Sequence, residues 1–197
     1  MISPSRDIGA EIAGAVADYR EHGNIAALLE RLDALTATAT PDALIVAVEP
    51  FREIPEVAGP IYEKVVDAQP TNARALVILA NSYWLSGRGP EVVGELASRA
   101  IAADPANRGG WHLWALSESD PRARMARWRQ VATRFPEDLL ALANLADSAA
   151  SLAGGEEDTD ALMLAIHSYE TLLEKTEHPE QRAAVEHALL TLRTWKL

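Results

Sequence analysis

His167, Glu170 and Glu174 stand at i, i+3 and i+7, a spacing that sets three potential metal ligands on one helix face. A metal held there needs a matching set from a facing helix, such as a Glu-x-x-His unit. The chain contains no Glu-x-x-His, so the three read as a solvated polar stripe beside the apolar stripe Leu162, Ala165, Tyr169 and Leu173. Glu156, Glu157, Asp158 and Asp160 follow Gly154-Gly155 and lack the ligand spacing of a calcium loop. Their expected role is to open a helix from Thr159, where negative charge meets the positive end of the helix dipole. Between Pro121 and Pro136 lie Arg122, Arg124, Arg127, Arg129 and Arg134 with no acid among them. At about 100° per residue, Arg124, Arg127 and Arg134 share one flank and Arg122 and Arg129 the other. Such a helix either pairs with Glu118, Asp120, Glu137 and Asp138, or docks an acidic partner through bidentate arginine contacts. HExxH, GxSxG, GxxxxGK(S/T) and GxGxxG are all absent. Without Cys there is no disulfide, thiolate zinc site or Cys nucleophile. No catalytic residue, metal or cofactor is therefore expected.

The elements that carry these residues are helices. The chain has 197 residues, 48% of them hydrophobic, and a net charge of −11. It is too apolar for a disordered chain and too acidic to be expected on nucleic acid. Its length is ample for one domain and marginal for two. The first twenty residues show no signal-peptide pattern. The runs Ala43–Val48 and Ala75–Ala80 fall far short of the roughly 18–20 residues of a membrane span. A soluble, cytoplasmic protein without membrane insertion is expected. No sustained alternation predicts a strand. Helical periodicity predicts eleven helices, over Ser5–Glu21, Ile25–Thr36, Asp42–Glu49, Ile54–Asp67, Ala73–Ser86, Pro90–Ala103, Gly109–Ser117, Pro121–Arg134, Asp138–Ala153, Thr159–Thr176 and Glu180–Lys196.

The breaks repeat. Pro70-Thr71-Asn72, Pro105-Ala106-Asn107 and Pro136-Glu137-Asp138 share one form, and Pro179 supplies a weaker copy. Proline ends one helix, and the Asn or Asp two residues on can cap the next. The prolines are spaced by 35, 31 and 43 residues. A second break falls midway, at Gly87-Arg88-Gly89, Ser119-Asp120 and Gly154-Gly155, so each period holds two helices. Such a period means a solenoid of helical hairpins.

These residues resemble the tetratricopeptide-repeat (TPR) family, in degenerate form. Ala73–Asn107 places Leu76, Leu79, Ala80 and Tyr83 where the family has Trp, Leu, Gly and Tyr. Val93 and Ala100 follow in the second helix, and Asp104-Pro105 closes the unit. The next copy carries Trp111, Trp114, Ala115 and Trp128. The one from Leu139 carries Leu142, Leu145, Ala146, Ala165 and Tyr169. The resemblance implies an all-α fold: a right-handed superhelical solenoid of antiparallel helix hairpins with a C-terminal capping helix. It divides a single domain, 1–197, into a hairpin at 5–38, repeats at 39–72, 73–107, 108–138 and 139–178, and a cap at 179–197.

The resemblance also implies a groove lined by the first helix of each hairpin. Its positions are Arg74, Val77, Asn81 and Trp84, then His112, then Asn144 and Asp147. Trp84 directly follows Tyr83 and cannot share its face. It is either an exposed anchor beside Asn81 or packed under the adjacent repeat. Asn81 and Asn144 are similar to two positions of the family's carboxylate clamp, but the clamp lysines are missing and Val77 holds one of their places. The C-terminal carboxylate of heat-shock chaperones is therefore not the expected ligand. The implied function is a non-catalytic scaffold or adaptor, monomeric or homodimeric, that binds a protein or peptide. Arg124, Arg127 and Arg134 form a second candidate docking surface. The alternatives are a chaperone for an exported protein, as some small acidic bacterial members are, and a helical enzyme or metal-binding protein.

Overall fold

The computed structural model describes residues 7–196. Among them eleven α-helices follow one another without a strand. They are α1 Ile8–His22, α2 Ile25–Thr36, α3 Pro41–Val48, α4 Pro55–Ala68, α5 Ala73–Leu85, α6 Pro90–Ala103, α7 Arg108–Leu116, α8 Pro121–Arg134, α9 Leu139–Glu156, α10 Thr159–Lys175 and α11 Pro179–Leu192. A 3-10 turn, Glu49–Phe51, extends α3. The expected start of the first helix at Ser5 lies outside the described residues.

The repeated breaks act as punctuation. Asn72 Oδ1 accepts the Ala75 N–H at 3.1 Å, Asn107 Oδ1 accepts that of Gly110 at 3.2 Å, and Asp138 accepts those of Leu140 and Ala141. Asp120 and Asp158 cap α8 and α10 in the same way. Each such cap stabilises its helix by about 1 kcal/mol. One expected break is corrected. Gly154 and Gly155 do not end α9, which continues to Glu156. The helix stops at Glu157, whose φ of 52° is left-handed. A Cβ on Gly154 would lie 3.1 Å from the Trp195 ring. The glycine gives this ring room against the helix, and that contact offsets the cost of glycine in a helix.

The chain forms two compact units, residues 1–113 and 114–197. In the first, α1 packs on α2 and α3, α2 and α3 on α4, α4 on α5, and α5 on α6. Its core contains Ile12, Leu32, Leu44, Ile61, Leu76, Leu79 and Val93, with Ala80 and Ala97 at the close approaches. A Cβ on Gly109 would lie 2.9 Å from Val77 Cγ1, and one on Gly110 would lie 3.3 Å from Ala100 Cβ. The two glycines therefore let the start of α7 approach α5 and α6 closely.

In the second unit α8 packs on α9, α9 on α10, and α10 on α11. Trp128, Val131, Leu145, Leu152 and Leu162 are buried, and Ala115, Ala146 and Ala165 are fully so. Trp114 is half-buried. On α11, Val185, Leu189 and Leu192 turn inward, while Glu186 remains exposed. Apolar residues inside and polar ones outside are the pattern of a helix that covers the end of a hydrophobic core.

Candidate functional site

In the first unit, α5 presents the four expected positions in different states. Arg74 is exposed, and its Nη2 donates to both carboxylate oxygens of Glu49 at 2.9 Å. Glu49 also receives Arg52 Nη1 at 2.9 Å. Val77 is half-buried against Gly109, so it does not stand open. Asn81 is half-buried, and Trp84 keeps 38% of its surface exposed. The Trp84 ring is thus partly packed and partly open. Leu85 beside it is more exposed still.

Behind this face, the Tyr83 phenol donates to Glu63 Oε1 at 2.6 Å, and the Arg88 guanidinium lies 4.8 Å from its ring centre. Burial, then the hydrogen bond and charge of Glu63, push the Tyr83 pKa up to about 12. The phenol thus stays a donor and fixes the end of α5 to α4. His112, on α7, is half-buried.

In the second unit, Asn144 turns back to its own helix, with Nδ2 donating to the Leu140 carbonyl at 2.8 Å. Asp147 is exposed and accepts the Tyr169 hydroxyl hydrogen. Burial, then this bond, raise the Tyr169 pKa. Asp147 and Tyr169 stand at the edge of a pocket of about 470 Å³, walled by α9 and α11 and floored by α10. Leu139, Leu140, Ala143, Leu172 and Val185 supply its apolar lining. Sequence reasoning missed this pocket. The available signal was the pair Leu139-Leu140: adjacent helical positions cannot both face the core, and Leu140 is 59% exposed.

The arginine helix α8 is largely engaged. Arg127 Nη2 lies 2.6 Å from Glu118 Oε2, its Nη1 donates to the Trp114 carbonyl, and its guanidinium lies 4.6 Å from the Trp114 ring centre. Arg122 reaches Glu156 and Asp158. The Ala161 N–H, then Arg122, hold the Asp158 carboxyl below its ordinary range. Arg134 lies over the Phe135 ring. Arg124 is half-buried. Glu118 takes Arg127 as expected, whereas Glu137 pairs with Lys175 and Asp120 caps α8. Thus the proposed trio Arg124, Arg127 and Arg134 does not stand as three free charges. Of the polar stripe on α10, Glu170 pairs with Arg193 at 2.7 Å. Among the described residues no three His, Asp or Glu converge as a metal would require. No helix among them is long and apolar enough to cross a membrane.

Short antiparallel helix pairs, small residues at their close approaches and Pro-x-(Asn/Asp) punctuation define an all-α helical-repeat protein with the TPR fold. Solved structures share this fold. The crystal structure of MamA has a TM-score of 0.59 at 16% identity, covering 85% of this chain and 95% of that one. TTC0263, a thermophilic TPR protein of Thermus thermophilus, has a TM-score of 0.58 at 16% identity, covering 93% and 99%. Pseudomonas aeruginosa PilF has 0.61 at 15% identity, covering 95% and 84%. No family model and no curated protein sequence matches the chain.

Proposed function

We propose that this chain is a non-catalytic protein-interaction scaffold that binds a peptide or partner helix on the first-helix faces of its hairpins. In residues 1–113 that face is α5, and in residues 114–197 it is α9. The observation that carries this reading is Trp84, a large ring left exposed beside Asn81 on a helix whose opposite face is core. Exposed aromatic rings on rigid elements are frequent interface anchors, because they bury much area at little entropic cost. The TPR fold of MamA, TTC0263 and PilF supports the class of function and leaves the partner open. In this reading the protein works in the cytoplasm without nucleic acid or cofactor.

The test is quantitative affinity capture with the wild type beside Trp84→Ala and Asn81→Ala. The expected result is a set of partners lost with Trp84→Ala and weakened with Asn81→Ala. Equal recovery by all three proteins would discard the α5 face. An exported-protein chaperone is distinguished by its dependence on the client: its solubility rises on co-expression, whereas a scaffold is stable alone.

A further inference from the structure

In the second unit some acids are ion-paired, and Asp147 is among those that are not. Glu118, Glu137, Glu156 and Glu170 in the same unit each sit within ion-pair distance of an Arg or Lys. Among the described residues, no Arg, Lys or His comes that near Asp147. Its contact is with the neutral Tyr169 phenol, which donates to Oδ1, and the residue is exposed. The pocket beside it contains no Lys, Arg or His in its lining. Leu139, Ala143 and Asp147 stand at i, i+4 and i+8 on one face of α9. The apolar wall of α9 therefore gives way to a carboxylate about 6 Å beyond Ala143. Opposite, Ala184 and Ala188 stand one turn apart on α11 and keep the pocket open for a bulky side chain.

We propose that the pocket between α9 and α11 takes the apolar face of a partner helix, and that a Lys or Arg on that face pairs with Asp147. This rests on the scaffold reading and specifies the chemistry of its partner as basic and amphipathic. The charge of the occupant follows from the site: a cation complements the Asp147 carboxylate, while an acidic segment would face it on a chain of net charge −11. Helix-in-groove recognition places anchors at i, i+3 and i+4, and four positions separate Ala143 from Asp147. The Tyr169 phenol holds the carboxylate in place without neutralising it.

The probe is a fluorescein-labelled amphipathic helical peptide of Leu and Lys, set against the same peptide with Glu for Lys, read by fluorescence anisotropy. The expected result is binding of the Leu/Lys peptide alone, weakened by salt. Asp147→Asn, which keeps the Tyr169 contact, should weaken it about tenfold. Ala188→Phe, which fills the pocket, should abolish it, while Glu157→Gln leaves it unchanged. Melting curves on each variant separate lost binding from lost folding, and Asp147→Asn remains decisive if Ala188→Phe unfolds. No binding of the Leu/Lys peptide, equal binding of the Leu/Glu peptide, or equal loss from Glu157→Gln and Asp147→Asn would overturn the proposal. A protein that ignores the Leu/Lys peptide yet captures partners through Trp84 keeps the scaffold reading and discards this one.

Discussion

Leu79 and Leu85 share one helix and face opposite ways, and the same substitution at each isolates the worth of burial. Leu79 is 3% exposed and Leu85 is 58% exposed. Leu79→Ala removes carbon atoms worth about 0.8 kcal/mol per buried methylene, or about 2.4 kcal/mol in transfer terms. The cavity left between close-packed helices raises the total to about 3 kcal/mol, within the usual range of about 2–5 kcal/mol. Leu85→Ala loses little apolar burial and gains helix propensity, so its effect stays within about 0.5 kcal/mol. Urea denaturation followed by circular dichroism reads both. With an m-value of about 1–3 kcal/mol/M, Leu79→Ala lowers the midpoint by about 1–3 M and leaves m unchanged. Equal shifts for the two variants would refute the register in which Leu79 faces the core and Trp84-Leu85 do not.

Two further outcomes follow from contacts in the first unit. Gly109→Ala gains up to about 1 kcal/mol of helix propensity but drives its Cβ to 2.9 Å from Val77 Cγ1, so it should destabilise by about 1 kcal/mol net. In a Val77→Ala background the clash is gone and the same change becomes neutral or stabilising, and identical melting shifts in both backgrounds would contradict the close approach. A spectrophotometric titration of tyrosinate, wild type minus Tyr83→Phe, should give a midpoint near the pKa of about 12 set by burial and Glu63. Because the folded pKa is raised, the stability Tyr83 contributes is complete below the unfolded value of about 10 and is lost as pH rises through the folded one. A midpoint at the ordinary tyrosine value would remove Glu63 as its partner.

Local signals account for most of the fold. The 3.6-residue periodicity and the prolines marked the helices, and Asn72, Asn107 and Asp138 cap them as that spacing requires. Gly154-Gly155 shows the limit: the pair stays helical, and Gly154 lies against Trp195, a contact no local window contains. The arginine helix shows it again, since Arg122 finds its acids more than thirty residues away at Glu156 and Asp158. In the candidate sites, adjacency was readable and enclosure was not. Tyr83-Trp84 forced one ring outward. Leu139-Leu140 carried the same message, but a pocket needs three helices placed together before it has walls.

The contact between Trp195 and Gly154 joins residues 41 positions apart. Hairpin contacts between α9 and α10 close short loops, whereas this one constrains a longer stretch of chain and carries a larger entropic cost of closure. The last turn of α9 is glycine-rich and intrinsically weak, and its cover comes from a residue beyond α11. The Trp195 ring therefore packs where this weak turn has no side chain of its own. The acidic end of α9 that meets Arg122 lies two residues beyond this contact.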